Sequence, residues 1–181
     1  MTDTAASKRI PELVAVLFRA GRVVPAGKLA EHFNCKPHEL ALAADEANAA
    51  LNSLGLQISF VAGGYRLTTH AEAYHGVREF FTEIRESALT QQALEVLAIV
   101  AYRQPVTRVE VEEIRQVNSE SPLHSLLQRR LIKVKGRGEQ AGRPFLYVTT
   151  GRFLEVFGMA SLEDLPKIDL TAAIPVYHPG V

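Results

Sequence analysis

The sequence predicts an α+β protein, mainly helical with small β-hairpins, in which one unit of three helices and a hairpin is followed by a second of the same layout. Three observations predict it. Apolar residues recur at helical spacing and stop at a glycine or restart at a proline; alternating residues around a glycine-bearing turn follow each third helix; and the layout returns at one displacement. Leu97 stands 81 residues after Val16, and Thr150 stands 81 after Thr69.

The first helix is read from Ile10 to Ala20, where Leu13, Val14, Val16, Leu17 and Phe18 repeat at helical spacing and Gly21 supplies a residue free to turn left-handed. Pro25 opens a short second helix through Leu29, Ala30 and Phe33. Pro37 starts a longer third one carrying Leu40, Leu42, Ala43, Ala47 and Leu51, since proline suits the first helical turn. After Gly55 the texture changes to Leu56–Val61, then Gly63-Gly64, then Tyr65–Thr69, which reads as a β-hairpin turning at the glycine pair.

In the second unit Leu94, Leu97, Ala98 and Ala101 form a helical stripe with Thr90 as N-cap. Thr107 and Glu110 stand at capping-box spacing and start a helix that runs to about Arg115. Asn118, Ser119 and Ser121-Pro122 signal a third start, followed by Leu123, Leu126, Leu127 and Leu131. The hairpin returns as Leu131–Lys135 and Phe145–Thr149, joined by a glycine-rich loop over 136–142.

Helix, short helix, longer helix and hairpin in that order spell a winged helix, with the hairpin as the wing, so the expected architecture is two winged-helix domains in tandem. The boundaries expected are 1–69 for the N-terminal domain, 70–88 for a helical linker, 89–158 for the C-terminal domain and 159–181 for a turn and mobile tail. The linker carries Tyr74, Val77, Phe80, Phe81 and Ile84 on one helical face. A short helix around Phe153–Phe157 and a turn capped by Ser161 with Asp164 follow the second hairpin. Phe80, Phe81, Phe153 and Phe157 are read as lying outside the two cores.

Composition excludes several classes. With 47% hydrophobic and 22% charged residues over 181, each half has material for a core. Twenty basic residues balance twenty acidic ones, so no whole-chain field draws the protein onto DNA or an anionic membrane. One cysteine, Cys35, excludes an intramolecular disulfide framework, and the start lacks the layout of a signal peptide. The most apolar stretch, Ala93–Tyr102, is about half the ~20 residues a membrane span needs. A cytoplasmic protein without membrane contact is expected.

Catalysis, metal and cofactor binding find no support. His32, Cys35 and His38 are three apart, yet Pro37 breaks their register and a structural zinc site needs four ligands. Ser119, Ser121 and His124 lack a nucleophile elbow, and serines before a helix are ordinarily caps. Gly136 and Gly138 lie in a hairpin loop without the strand-loop-helix context of a phosphate-binding fingerprint. We therefore read no enzyme, no metal and no cofactor.

Charge distinguishes the domains. Helix three of the first offers Glu39, Asp45 and Glu46 against Lys36, a poor face for a polyanion. In the second, Arg129, Arg130, Lys133, Lys135, Arg137 and Arg143 gather around the helix end and wing, opposed there only by Glu139. Three readings of this basic patch stand side by side: a grip on DNA phosphates, a grip on an acidic partner segment, and a solvated wing whose lysines keep the hairpin edge from aggregating. Glu110, Glu112, Glu113 and Glu120 just upstream weaken the first of these.

The stretch from Leu94 through Arg108, then Glu112–Arg115 and Val117–Ser119, resembles the segregation and condensation protein B family. The resemblance continues through Leu126-Leu127, Leu131-Ile132, Gly142-Arg143-Pro144, Leu146–Thr150, Phe153–Gly158 and Ser161–Pro166. The second domain is covered almost entirely, the first mainly in layout and through Ala62–Leu67. Gln116 stands where the family usually has glycine, and Lys36 where a serine-like cap is common.

The resemblance implies a non-enzymatic adaptor that pairs with a second copy through its first domain and binds the central segment of a kleisin. Through the kleisin it would reach the structural-maintenance-of-chromosomes ATPase, in chromosome condensation and segregation at the nucleoid. The family-matched positions carried over as partner-binding are Tyr102, Gln104, Pro105, Arg108, Arg115, Asn118, Arg143 and Pro144, and glutamate at Arg108 or Arg115 is expected to leave thermal stability nearly unchanged while weakening kleisin binding, unchanged affinity discarding them. A weak DNA contact is the secondary expectation, and a DNA-binding transcriptional regulator the alternative function.

Overall fold

The computed structural model describes residues 9–81 and 88–167. The chain divides into two compact units, one of Met1–Ser87 with Gly158–Ser161 and one of Ala88–Phe157 with Leu162–Val181. The structure is α+β, each unit mainly helical with a small antiparallel three-stranded sheet.

The first unit begins with α1 (Ile10–Ala20), which Gly21 ends at φ 60°, its N–H bonding to Leu17 O. A two-residue strand β1 (Val24–Pro25) precedes α2 (Ala26–Phe33) and α3 (Pro37–Leu51). Lys36 holds the N-terminus of α3 in place of a serine-like residue: its backbone N–H donates to Glu39 Oε2 at 2.7 Å, so the reciprocal half of a capping box is made without a capping hydroxyl. The hairpin strands β2 (Leu56–Val61) and β3 (Gly64–Thr69) pair in register, and β1 joins the far side of β3.

The hairpin does not turn at Gly63-Gly64. The loop residues are Ala62 and Gly63, at φ 50° and 72°, the two left-handed positions a two-residue hairpin turn needs, while Gly64 is the first residue of β3. Glycine is required at 64 by close approach instead, because a Cβ there would lie 2.3 Å from the backbone oxygen of Val24. The turn also meets Gly158–Ser161, as Ala62 N donates to Met159 O and Gly63 N to Ala160 O at 2.9 and 3.1 Å.

Leu13, Leu17, Leu29, Phe33, Leu40, Ala43, Ala47, Leu51, Ile58 and Tyr65 form the core of this unit. Asn48 fastens α3 to β2, its side chain donating to Ile58 O and accepting from Ile58 N. The expected linker helix is shorter in the described residues: a 3-10 turn, Ala71–Ala73, leads into α4 (Tyr74–Phe80). Ile84 and the tail beyond Lys167 lie outside the described residues.

In the second unit α5 (Gln91–Arg103) is capped by Thr90 Oγ1, which accepts from Ala93 N. A two-residue strand β4 (Val106–Thr107) runs into α6 (Arg108–Arg115), followed by α7 (Glu120–Gln128), β5 (Ile132–Arg137), β6 (Phe145–Thr149) and α8 (Gly151–Phe157). The sheet order is β4-β6-β5, so β5 is an edge, and its pairing with β6 is interrupted by a bulge between Val134 and Gly136. Val96, Leu97, Val100, Val111, Leu123, Leu126, Leu131, Ile132 and Tyr147 are buried.

Phe153, expected outside the cores, is buried in this unit and packs on Phe157 with ring centroids 4.9 Å apart, whereas Phe157 is half-exposed. The turn expected at Ser161 and Asp164 is a 3-10 helix over Leu162–Asp164.

A candidate partner-binding surface on the second unit

The residues between α5 and α6 form a turn held from inside. Gln104 Nε2 donates to Ala101 O, and Gln104 Oε1 accepts from both the backbone N–H and the hydroxyl of Thr149, at 2.8 and 3.0 Å. One amide thus ties the end of α5 to the end of β6, and Pro105 follows it into β4. Tyr102 donates its hydroxyl to Pro166 O at 2.8 Å.

Thr107 and Glu110 make both halves of the expected capping box. Glu110 Oε2 accepts from Thr107 N and Oγ1, and Thr107 Oγ1 accepts from Glu110 N. The Thr107 backbone N–H first, and its hydroxyl second, hold the Glu110 carboxyl below the usual carboxylate range against a small opposing effect of burial.

Arg108 is exposed on the first turn of α6 and lies between two carboxylates, Glu120 at 3.1 Å and Glu112 at 3.7 Å. Burial pushes the phenol of Tyr147 up, while Arg108 and Glu120 act on it in opposite directions, which places that hydroxyl in the field of the pair.

Arg115 is turned inward instead. Its side chain is 7% exposed, donates to Glu95 Oε2 at 3.0 and 3.3 Å, and donates to Ser119 Oγ at 2.9 Å. Ser119 is fully buried, and its hydroxyl does not cap α7. Asn118 fills that role, its Oδ1 accepting from Glu120 N. Gln116 ends α6 at φ 57°, a left-handed conformation that glycine adopts freely and that costs a residue with a side chain about 1 kcal/mol.

A cleft of about 300 Å³ opens between the end of α5 and α6, lined by Arg103, Pro105, Val106, Glu110, Glu113 and Ile114. Its lining mixes apolar Pro105, Val106 and Ile114 with one guanidinium and two carboxylates. Among the described residues no group of three or more His, Cys, Asp or Glu is arranged to hold a metal ion. His32 bonds Glu12 at 3.0 Å, and burial raises the Cys35 thiol.

On the wing, Arg130, Lys133, Lys135, Arg137 and Arg143 are exposed; Arg129 is half-buried. Arg137 lies over the Phe145 ring at 4.3 Å and donates to Arg143 O at 3.1 Å, while Gly138 N donates to Pro144 O at 2.8 Å. Pro144 therefore helps close the wing loop. The positions carried over from the resemblance thus divide. Tyr102, Gln104, Arg115 and Asn118 are engaged within the unit, Pro105 lines the cleft, Arg108 is exposed beside it on α6, and Arg143 and Pro144 belong to the wing tip.

Missing from the sequence reading were Arg103, Glu113 and Ile114 as cleft walls, and the exposed apolar residues Val109, Val134 and Phe145. Alternation in Ile132–Lys135 points Val134 inward, and nothing in that pattern reveals that the hairpin extends past the core.

The family model described as segregation and condensation complex subunit ScpB matches residues 12–168. The segregation and condensation protein B of Moorella thermoacetica is 43% identical over 167 residues, covering 89% of this chain and 83% of that protein. Its counterpart in Geobacillus thermodenitrificans is 40% identical over 171 residues, covering 92% and 82%. The crystal structure of ScpB from Mycobacterium tuberculosis aligns with 31% identity and a TM-score of 0.40, covering 88% of this chain and 99% of that one.

Proposed function

The chain belongs to the segregation and condensation protein B family, and from that premise we propose that it is a non-enzymatic adaptor that binds the central segment of a kleisin. Through the kleisin it joins the structural-maintenance-of-chromosomes ATPase. The family supports the broader role, in chromosome segregation and condensation, and the adaptor acts there as a paired copy. Binding is the mechanism, and no bond is made or broken.

The observation that carries the reading is the cleft between α5 and α6, with Pro105 and Ile114 as apolar wall and Arg103, Glu110 and Glu113 at its rim. A helix or extended segment of the kleisin would place an apolar side chain in it and a basic one against the carboxylates, and a pocketed anchor of this kind dominates binding energy. Glu110 is committed to its capping box, so Glu113 is the carboxylate free to choose a partner's cation.

Co-purification of the full chain with the kleisin of the same genome, with the complex sized, tests the reading. The expected product contains two copies of this chain. Glu113→Arg and Arg108→Glu, both at exposed positions, are expected to weaken the complex at least tenfold with melting temperature unchanged. Unchanged affinity in Glu113→Arg would discard the cleft, and failure of the wild-type chain to form any complex would discard the adaptor.

A further inference from the structure

We propose that the wing of the second unit grips the phosphate backbone of duplex DNA without reading its sequence. Between residues 130 and 145 five exposed cations, Arg130, Lys133, Lys135, Arg137 and Arg143, face one exposed acid, Glu139. Every residue of β5 after Ile132 is exposed, as is Phe145 opposite Arg137, so the hairpin projects beyond the core as a two-stranded ribbon. A projecting cationic ribbon fits against or into a groove of a duplex, whereas a protein segment needs a concave seat or a free strand edge.

The free edge of β5 does not supply such a seat. The bulge between Val134 and Gly136 leaves Lys135 without a partner in the ladder, and an added strand would lose its hydrogen bonding at the middle of the edge. This observation weighs against an added peptide strand and favours nucleic acid as the occupant. Lysines and a bulge also guard an edge against aggregation, but guarding does not require a fixed arginine at the tip. Arg137 is held over Phe145 and against Arg143 O, in a loop closed by Gly138 N to Pro144 O. The cation is ordered before any phosphate arrives, which removes part of the entropy cost of binding.

The contact is weak by construction. Glu112, one turn along α6 from Arg108, and Glu120, at the start of α7, set two carboxylates beside Arg108, and the chain has no net charge to add. With four or five phosphates neutralised, affinity falls roughly 150- to 500-fold between 50 and 200 mM salt. The grip is therefore a low-affinity one that ordinary salt weakens steeply. It does not depend on the kleisin reading, since none of these cations lines the cleft.

The test is fluorescence anisotropy of a labelled 30-base-pair duplex of mixed sequence titrated with the full chain at 50, 100 and 200 mM salt, beside a labelled 30-residue polyglutamate. Saturation of the duplex in the micromolar range at 50 mM, with the steep salt dependence above, is expected. In Lys133→Gln/Lys135→Gln the double-logarithmic salt slope is expected to flatten by about two, with affinity at 50 mM down at least tenfold and melting temperature unchanged. Arg130→Gln, outside the strand, is expected to flatten it by about one. No saturation of the wild-type chain up to ~100 µM at 50 mM, or double-variant binding equal to wild type, overturns the proposal. Polyglutamate binding as tight as the duplex reassigns the wing to an acidic protein segment and overturns it as well.

Discussion

Replacing Arg115 by glutamate removes three donated hydrogen bonds and sets a new carboxylate beside Glu95 and the buried hydroxyl of Ser119. With two of the three bonds going to the half-exposed Glu95 and screened by solvent, the network as a whole contributes about 2 kcal/mol, so Arg115→Glu is expected to lower the melting temperature of the second unit by about 8–16 °C, read by calorimetry. The near-neutral outcome expected from sequence is corrected at this position and retained at Arg108, which is exposed between its carboxylates. Sequence showed a basic residue in a family-matched stretch, and a charge there reads as surface by default. What it did not show is that Glu95, twenty residues earlier, and Ser119, four later, converge on one guanidinium. Ser119 misled for the same reason: its type suits a cap, but tertiary contact takes its hydroxyl and leaves capping to Asn118.

At the scale of the element, the start of α6 carries a prediction of pH dependence. The folded-state carboxyl of Glu110 lies below its ordinary value of 4.5, so folding favours its charged form. Its contribution is present above the unfolded pKa and is lost as pH falls through the folded one. Glu110→Gln is therefore expected to melt below wild type at pH 7 and to converge with it as the pH falls through the lowered folded-state pKa; a constant gap from neutral pH into that acid range would show the carboxylate's charge to be irrelevant to the cap. This capping box was legible because both halves lie within four consecutive residues, and the helices and hairpins were legible because periodicity is local. The two-residue strands β1 and β4 were not: Val24-Pro25 and Val106-Thr107 read as helix starts, and only their pairing with Tyr65-Gly64 and Tyr147-Leu146 makes them strands. The first hairpin's turn shifted by one residue because sequence shows a glycine pair without showing which glycine is needed for φ and which for the approach of Val24.

For the whole molecule, the repeat displaced by 81 residues predicts two units, and each has a core of its own, around Leu17 and Phe33 in one and Val96 and Leu126 in the other. The units differ in what the chain must supply. Among the described residues the core of the first lies between Leu13 and Tyr65 and that of the second between Ala93 and Phe153, yet the first also takes in four residues from far along the chain, Gly158–Ser161. The carbonyls of Met159 and Ala160 accept the N–H groups of Ala62 and Gly63, both in left-handed conformations at the hairpin turn. Two backbone hydrogen bonds contribute about 1–3 kcal/mol together, a sizeable fraction of the stability of a small domain. A fragment 88–181 is therefore expected to unfold cooperatively on its own, while a fragment 1–87 folds with a melting temperature several degrees below that of the same unit in the full chain. The deciding measurement is amide hydrogen exchange at Ala62 and Gly63. Protection in the full chain that disappears from these two amides in 1–87, while the amides of α3 stay protected, assigns the loss to the missing segment. Equal protection in both would show that the turn is held without it and that the first unit ends with its own hairpin and α4.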